Sequence, residues 1–206
     1  MNNELINEYE HLLLSTKREG IDKLIESIAK SDFYTAPAST RFHGCREGCL
    51  LEHSLNVYER CLEKFETPNS FWNKILTENK VTKENIIISA LLHDLCKMYY
   101  YVIDYKNQKV YKDNGSKHDE KGNFDWEVVP FYTVDDKIPY GHGEKSVMMI
   151  EQYIKLETVE RYAIRWHMGA YSGQQDWNTL GAAMEKYPLV LAIHEADMEA
   201  SKLMEE

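Results

Sequence analysis

Six side chains of the kinds that bind metal ions stand in or beside apolar stretches of the chain: His53, the adjacent His93 and Asp94, His142, His167 and Asp197. His93-Asp94 closes the run Ile86-Ile87-Ile88-Ser89-Ala90-Leu91-Leu92, where a helix that is apolar on nearly every side must be buried. A buried carboxylate persists only when it is hydrogen-bonded, paired or bound to a metal, because desolvation otherwise neutralises it. The pair therefore reads as half of a metal site. Imidazole and carboxylate donors, with water completing the shell, suit octahedral Mn, Fe, Co or Mg better than a closed tetrahedral zinc site. There is no glycine-rich phosphate loop of the Walker type.

Several other polar residues stand close enough in sequence to take part. Lys97 follows Asp94 by three and His93 by four, which places its ammonium over the same helical face. Lys145 stands three after His142, whereas Arg165, two before His167, points elsewhere on a regular helix. Asp94, Lys97 and Lys145 are the candidate catalytic residues, the lysines as phosphate-binding cations. Arg41, His43 and Arg165 are candidate substrate contacts. His194 lies one helical turn before Asp197 and competes as a ligand or a supporting partner, while His11 and His118 fall in segments better explained by solvent.

The elements that must position these residues follow from hydrophobic spacing. Leu5 to Ile28 forms one or two N-terminal helices interrupted at Gly20, and residues 31–48, with Pro37, Gly44 and Gly48, form a loop. Leu50 to Leu62 resumes a helix that carries His53. Thr82 caps the next helix, expected to run through Ile86 to Met98. Met98 to Tyr105 and Lys109 to Tyr111 suggest a β-hairpin around Asn107-Gln108, with Trp126 to Val134 as a third strand and a polar segment over 112–123. Helices return over about 143–154 and 158–167, and Pro188 opens a last one reaching Leu203.

The whole is read as a mainly α chain of one domain: a helical scaffold over 1–35, a core over about 36–98 and 141–206, and a β-rich insertion over about 98–134. Its 206 residues and 43% hydrophobic content suffice for one real core. With 24 basic against 34 acidic residues the formal charge is -10, which disfavours binding of long nucleic acid but leaves small polyanions open. The chain opens Met1-Asn2-Asn3-Glu4 without a charged and apolar leader, no apolar run approaches a membrane span, and Cys45, Cys49, Cys61 and Cys96 lack CxxC spacing. Free thiols in a cytoplasmic protein are expected. The aromatic residues Tyr99, Tyr100, Tyr101, Tyr105, Tyr111, Trp126, Phe131 and Tyr132 are expected mostly to pack strands, with one or two available to stack on a base. Glu205-Glu206 and Asp135-Asp136 are expected to be solvated.

The segments Leu50-Leu51-Glu52-His53-Ser54-Leu55, Leu91-Leu92-His93-Asp94-Leu95-Cys96-Lys97 and Glu195-Ala196-Asp197 resemble, in order, the three ligand segments of the HD-domain superfamily of metal-dependent phosphohydrolases. His142 in Gly141-His142-Gly143 and His167 in Trp166-His167-Met168 match its binuclear branch. The stretch Pro37 to Ser54 is similar to the HD domain of certain bacterial 3'-to-5' exoribonucleases. The resemblance implies an HD-domain helical bundle with a small β-hairpin insertion and two divalent ions. One is held by His53, His93, Asp94 and Asp197, and Asp94 bridges to another held by His142 and His167. Two ions roughly 3.5–4 Å apart can share a hydroxide and clamp the oxygens of a phosphoester. The expected activity is hydrolysis of a nucleotide or short oligonucleotide phosphoester by that metal-bound hydroxide, at a monoester or a diester. Its rivals are a diiron oxygenase on the same ligand pattern and a non-catalytic nucleotide-binding module. The expected partner is a small phosphorylated substrate, with neither long nucleic acid nor membrane.

Overall fold

A computed structural model describes residues 2–40 and 44–205. Nine α-helices dominate the described residues. They are α1 (Asn3–Ser15), α2 (Ile21–Ala29), α3 (Cys49–Glu66), α4 (Phe71–Glu78), α5 (Lys83–Leu92), α6 (His142–Ile150), α7 (Thr158–Trp166), α8 (Trp177–Lys186) and α9 (Leu189–Glu199). A π-helical turn over Ala200–Met204 extends α9. No helix among the described residues is long and apolar enough to cross a membrane.

The run of isoleucines and leucines places α5 at the centre. Every residue from Asn85 to Leu92 is buried, as expected of a helix with no polar face. The helix starts where Thr82 and Asn85 close a reciprocal capping box, which satisfies two amide donors that the first turn would otherwise leave unbonded. Helices α3, α7 and α9 pack on α5, α9 also packs on α3 and α7, and α6 packs on α7. Each fully buried leucine or isoleucine in this cluster contributes about 1.5–3 kcal/mol. Their packing brings the helix ends that carry the six candidate ligands to one place.

A buried ionic node fastens the N-terminal helices to this bundle. Glu160 on α7 is fully buried and receives Arg18 Nη2 at 2.8 Å, Arg18 Nη1 at 3.0 Å and Asn85 Nδ2 at 3.0 Å. Its carboxylate also accepts the Glu157 amide at 2.7 Å, completing the cap of its own helix. Arg18 reaches Glu84 as well, at 2.8 Å.

Three strands, β1 (Tyr101–Tyr111), β2 (Lys117–Asp119) and β3 (Gly122–Val134), form an antiparallel sheet in the order β1-β3-β2. The expected hairpin around Asn107-Gln108 is corrected here. Strand β1 runs unbroken through both residues, which pair with Val128 and Glu127, and its partner is β3. A two-residue turn needs positive φ, which Asn-Gly supplies and Asn-Gln does not. The turns fall instead within 112–122, where Gly122 has φ 125° and the polar segment carries β2.

The helix expected to reach Met98 also ends sooner. Helix α5 stops at Leu92, His93 is its C-cap, Asp94 leaves the helical region at φ -102° and ψ 18°, and a single 3-10 turn follows over Leu95–Lys97. The last helix stops at Glu199 before its π-helical turn. Helices α4 and α8 have no counterpart among the sequence expectations.

Candidate metal centre

The ligands come from helix ends rather than helix middles. His93 and His167 are the C-caps of α5 and α7, His142 is the first residue of α6, His53 lies in the second turn of α3, and Asp197 lies near the end of α9. Two close approaches allow this. A Cβ on Gly143 would stand 2.2 Å from the Arg165 carbonyl oxygen, and one on Gly169, where φ is +53°, would meet the His194 ring at 2.4 Å. Only glycine lets α6 and the turn after α7 come this near.

His93 and His167 are fixed by the same local device. Each Nδ1–H donates to the carbonyl three residues back, Ala90 at 2.8 Å and Ile164 at 2.7 Å, so each Nε2 lone pair points into the cluster. His93 Nε2 stands 3.3 Å from His53 Nε2 and 3.4 Å from Asp94 Oδ2. His53 Nε2 is 3.3 Å from Asp197 Oδ1 and 3.6 Å from Asp94 Oδ2. Asp94 Oδ1 faces the other side, 2.7 Å from His142 Nε2 and 3.6 Å from His167 Nε2. All six candidate ligands therefore converge, with Asp94 between two groups of donors.

The donor set fits divalent ions. His53, His93 and Asp197 form one group, and His93, Asp94 and His167 another, the donor atoms in each within 4.8 Å of one another. His167 Nε2 is buried and lacks a hydrogen-bond partner among the described residues, a loss that a metal bond would repair. Asp94, Cys96 and His142 form a third such group. Cys96 was expected only as a free thiol. It is buried with Sγ 3.3 Å from His142 Nδ1 and 3.7 Å from its Nε2.

Protonation follows from these contacts. Burial opposes a charge on His53, yet hydrogen bonds to Asp197 and Glu205 and the nearby Asp94 outweigh it and push its pKa up to about 10. Burial likewise opposes charge on His142, but the Cys96 sulfur and Asp94 raise it to about 9. The Asp94 carboxyl, despite burial, is held well below the usual range by Lys97 and the surrounding histidines. Asp197 is depressed against burial by His53, His93 and His167. Without metal, His53 and His142 are thus imidazolium groups set against the Asp94 and Asp197 carboxylates. The raised histidines stabilise the fold fully below their ordinary value of 6.5, and this is lost as pH rises through about 9 to 10. The depressed carboxyls stabilise it above their ordinary 3.8, and that is lost as pH falls.

Ligation through Nε2 must displace those protons. Apparent metal affinity is therefore expected to rise with pH up to about 9, by up to about tenfold per unit for each proton displaced. Calorimetric titrations in buffers of different ionisation enthalpy should count at least one proton released per ion. Proton-free uptake and a flat pH dependence would contradict this.

Glu205 corrects a second expectation. It is a structural partner rather than a solvated residue: His53 Nδ1–H donates to its Oε1 at 2.9 Å, and Asn56 Nδ2 donates to the same oxygen at 3.1 Å. The contact orients His53 so that Nε2 faces Asp94 and Asp197. Spacing gave no sign of it, since an acidic residue after a helix resembles any solvated one. Glu205→Ala is expected to weaken metal binding about 10- to 100-fold, and Glu205→Gln, which keeps an acceptor, to weaken it less. Equal affinities in competition titrations would exclude the role. His194 takes the supporting place, its Nδ1–H donating to the His167 carbonyl at 2.7 Å.

The other sequence candidates separate. Lys97 enters the centre, Nζ 2.7 Å from Asp94 Oδ2 and 2.7 Å from the Ala38 carbonyl, and its pKa is raised by Asp94 against the effect of burial. Lys145 is buried, paired with Asp136 at 2.5 Å and set over the Tyr100 ring. Asp136 is accordingly not merely solvated. Arg165 pairs with Glu144 and stacks on Trp166. Neither cation lines the cleft at the metal centre. Arg41 and His43 lie outside the described residues.

That cleft has a volume of about 500 Å³ and exposes His53, Asp94, His142 and Asp197 on its floor. Tyr100, Tyr101, Met168 and Tyr171 form apolar walls, and Lys97 and Lys202 add cations. Of the aromatic cluster expected along the strands, only Tyr100 and Tyr101 reach it. A larger surface cleft of about 1340 Å³, running past Arg18 and Lys155, contains none of the six ligands.

The family model described as "HD domain" matches residues 50–200, a span that includes all six converging side chains. No curated protein and no solved structure matches. The likeness to exoribonucleases gains no support from these comparisons.

Proposed function

The chain belongs to the HD domain family, and from that premise we propose that it is a divalent-metal-dependent phosphohydrolase acting on a nucleotide or short oligonucleotide phosphoester. The observation that carries this reading is the convergence of His53, His93, Asp94, His142, His167 and Asp197 beneath a cleft that also holds the Lys97 ammonium. In this reading His53, His93, Asp94 and Asp197 hold one ion, and Asp94, His142 and His167 a second. Ions bound there lower the pKa of coordinated water and draw charge from a phosphoryl oxygen.

The protein's own groups supply the rest. Lys97, anchored by Asp94 and the Ala38 carbonyl, holds a fixed positive charge where a phosphate would enter. Tyr101 donates its hydroxyl to the same carbonyl at 3.0 Å, which stiffens the cleft wall next to Lys97. The buried rings of His53, His93 and His167, which meet edge to face, keep bulk water from the deep side of the centre. Tyr171, largely exposed at the rim, offers a face on which a base can stack. A volume of about 500 Å³ suits a ligand of mononucleotide size.

The test is a screen of phosphomonoesters and phosphodiesters with protein reconstituted in Mn, Fe, Co or Mg, with oxygen uptake followed in parallel. Metal-dependent phosphate release without oxygen consumption is expected. Oxygen uptake coupled to turnover, with no phosphoester cleaved, would replace this reading with a diiron oxygenase. Nucleotide binding with no turnover under any metal would replace it with a binding module.

A further inference from the structure

The sheet is an arm, and one of its faces is uncovered. Its strands pair extensively with one another and share no substantial contact with any helix. Paired residues of an antiparallel ladder lie on the same face, so the register puts Ile103, Tyr105, Tyr111, Trp126, Val128 and Val134 together. Exposure is 58% for Ile103, 65% for Tyr105, 51% for Trp126 and 67% for Val128, although these are residues that fold to escape water. The six side chains present roughly 700 Å² of surface, above the roughly 300–600 Å² of the largest patch on a typical monomer. A sheet this small, with no helix packed on it, is marginally stable by itself.

We infer that this face of the arm packs against the same face of a second copy of the chain, making a two-fold dimer through a sheet-on-sheet contact. The area argues for it: roughly 700 Å² per copy is close to the about 800 Å² each partner contributes to a standard stable interface. Charge argues for it as well. The whole chain carries -10, so two copies repel, yet residues 101–134 hold five lysines against six acidic residues. Across the β1–β3 ladder the one charged side chain on the apolar face is Lys109. Its ammonium is already paired with Asp119 at 2.6 Å and rests 4.3 Å from the Phe124 ring centroid. Two such faces can meet without opposing like charges. Two-fold symmetry requires one patch to be complementary to itself, which a flat apolar sheet face satisfies. Such packing would also cover an exposed, aggregation-prone strand surface.

The experiment is sedimentation equilibrium of the full chain over a wide concentration range. The unmodified protein is expected to be a dimer. Val128→Lys and, separately, Ile103→Lys place a charge in the interface from each copy, and each is expected to weaken dimerisation at least about 100-fold with unchanged helical circular dichroism. Gln108→Lys, on the opposite face of the same strand, should remain dimeric. A monomeric unmodified protein would overturn the inference, as would a dimer that survives both apolar-face substitutions. A monomer that instead sediments with phospholipid vesicles or single-stranded oligonucleotide would assign the face to that occupant and equally overturn it.

Discussion

Asp94→Ala is expected to lower phosphoester turnover by at least about 100-fold, because it removes the one side chain that the proposed assignment gives to both ions. Asp94 is 3% exposed, and its two oxygens face different partners: Oδ1 reaches His142 at 2.7 Å, and Oδ2 reaches Lys97 at 2.7 Å and His93 at 3.4 Å. Removing the carboxylate takes a donor from each candidate ion and leaves Lys97 buried without its counterion. Asp94→Asn keeps the shape and one acceptor oxygen while losing the charge, so it separates packing from ligation. Both variants are expected to bind less metal, with kcat falling and metal content measured directly on the purified protein. Activity within a few-fold of the unmodified enzyme, with undiminished metal content, would exclude the bridging role.

The largest stability effect is expected far from this centre. Glu160→Ala should destabilise the fold by about 1–3 kcal/mol, because it takes a buried acceptor from Arg18 and Asn85, leaving Arg18 with Glu84 and the Lys155 carbonyl and Asn85 Nδ2 with Glu157. The carboxylate joins the α1–α2 turn, α5 and the cap of α7, so its loss acts on three elements at once. Urea titration measures it directly, with the midpoint falling and the slope unchanged. Because none of the six ligands touches Glu160, metal affinity of the folded fraction should be preserved at low temperature. A change under about 1 kcal/mol would mean that water replaces the ionic contacts at no cost.

The candidate metal centre was legible because its residues sit in contexts that penalise them unless they are used. His93-Asp94 after eight consecutive buried residues is costly without partners, and Asp197 on the apolar α9 is similarly placed. Side-chain direction was less legible. Lys97 and Lys145 share the same offset from a ligand, yet Lys97 finds Asp94 and Lys145 finds Asp136, which lies nine residues earlier on the approach to α6. A long cation turns to whichever carboxylate the fold brings near, and spacing does not encode that choice. Glu205 and Cys96 were hidden for the same reason, since their roles depend on where His53 and His142 turn their Nδ1 atoms.

In the fold, the long helices and their apolar faces followed from periodicity, and the strand-rich insertion from its tyrosines and valines. Its connectivity did not follow. Asn107-Gln108 interrupts the apolar pattern of β1 but offers no positive φ, so the chain continues to the glycine-bearing turns of 112–122 before it reverses. The early end of α5 was missed because the cost of breaking a buried helix after Leu92 is offset by what the break provides. Asp94 leaves the helical conformation and becomes free to face His142 and His167.

The most direct test is a crystal grown with manganese and measured at the metal's absorption edge. Two anomalous peaks are expected, one among His53, His93, Asp94 and Asp197 and another beside Asp94, His142 and His167, with the His53 Nδ1 contact to Glu205 intact. Peaks elsewhere, or none at saturating manganese, would contradict the account.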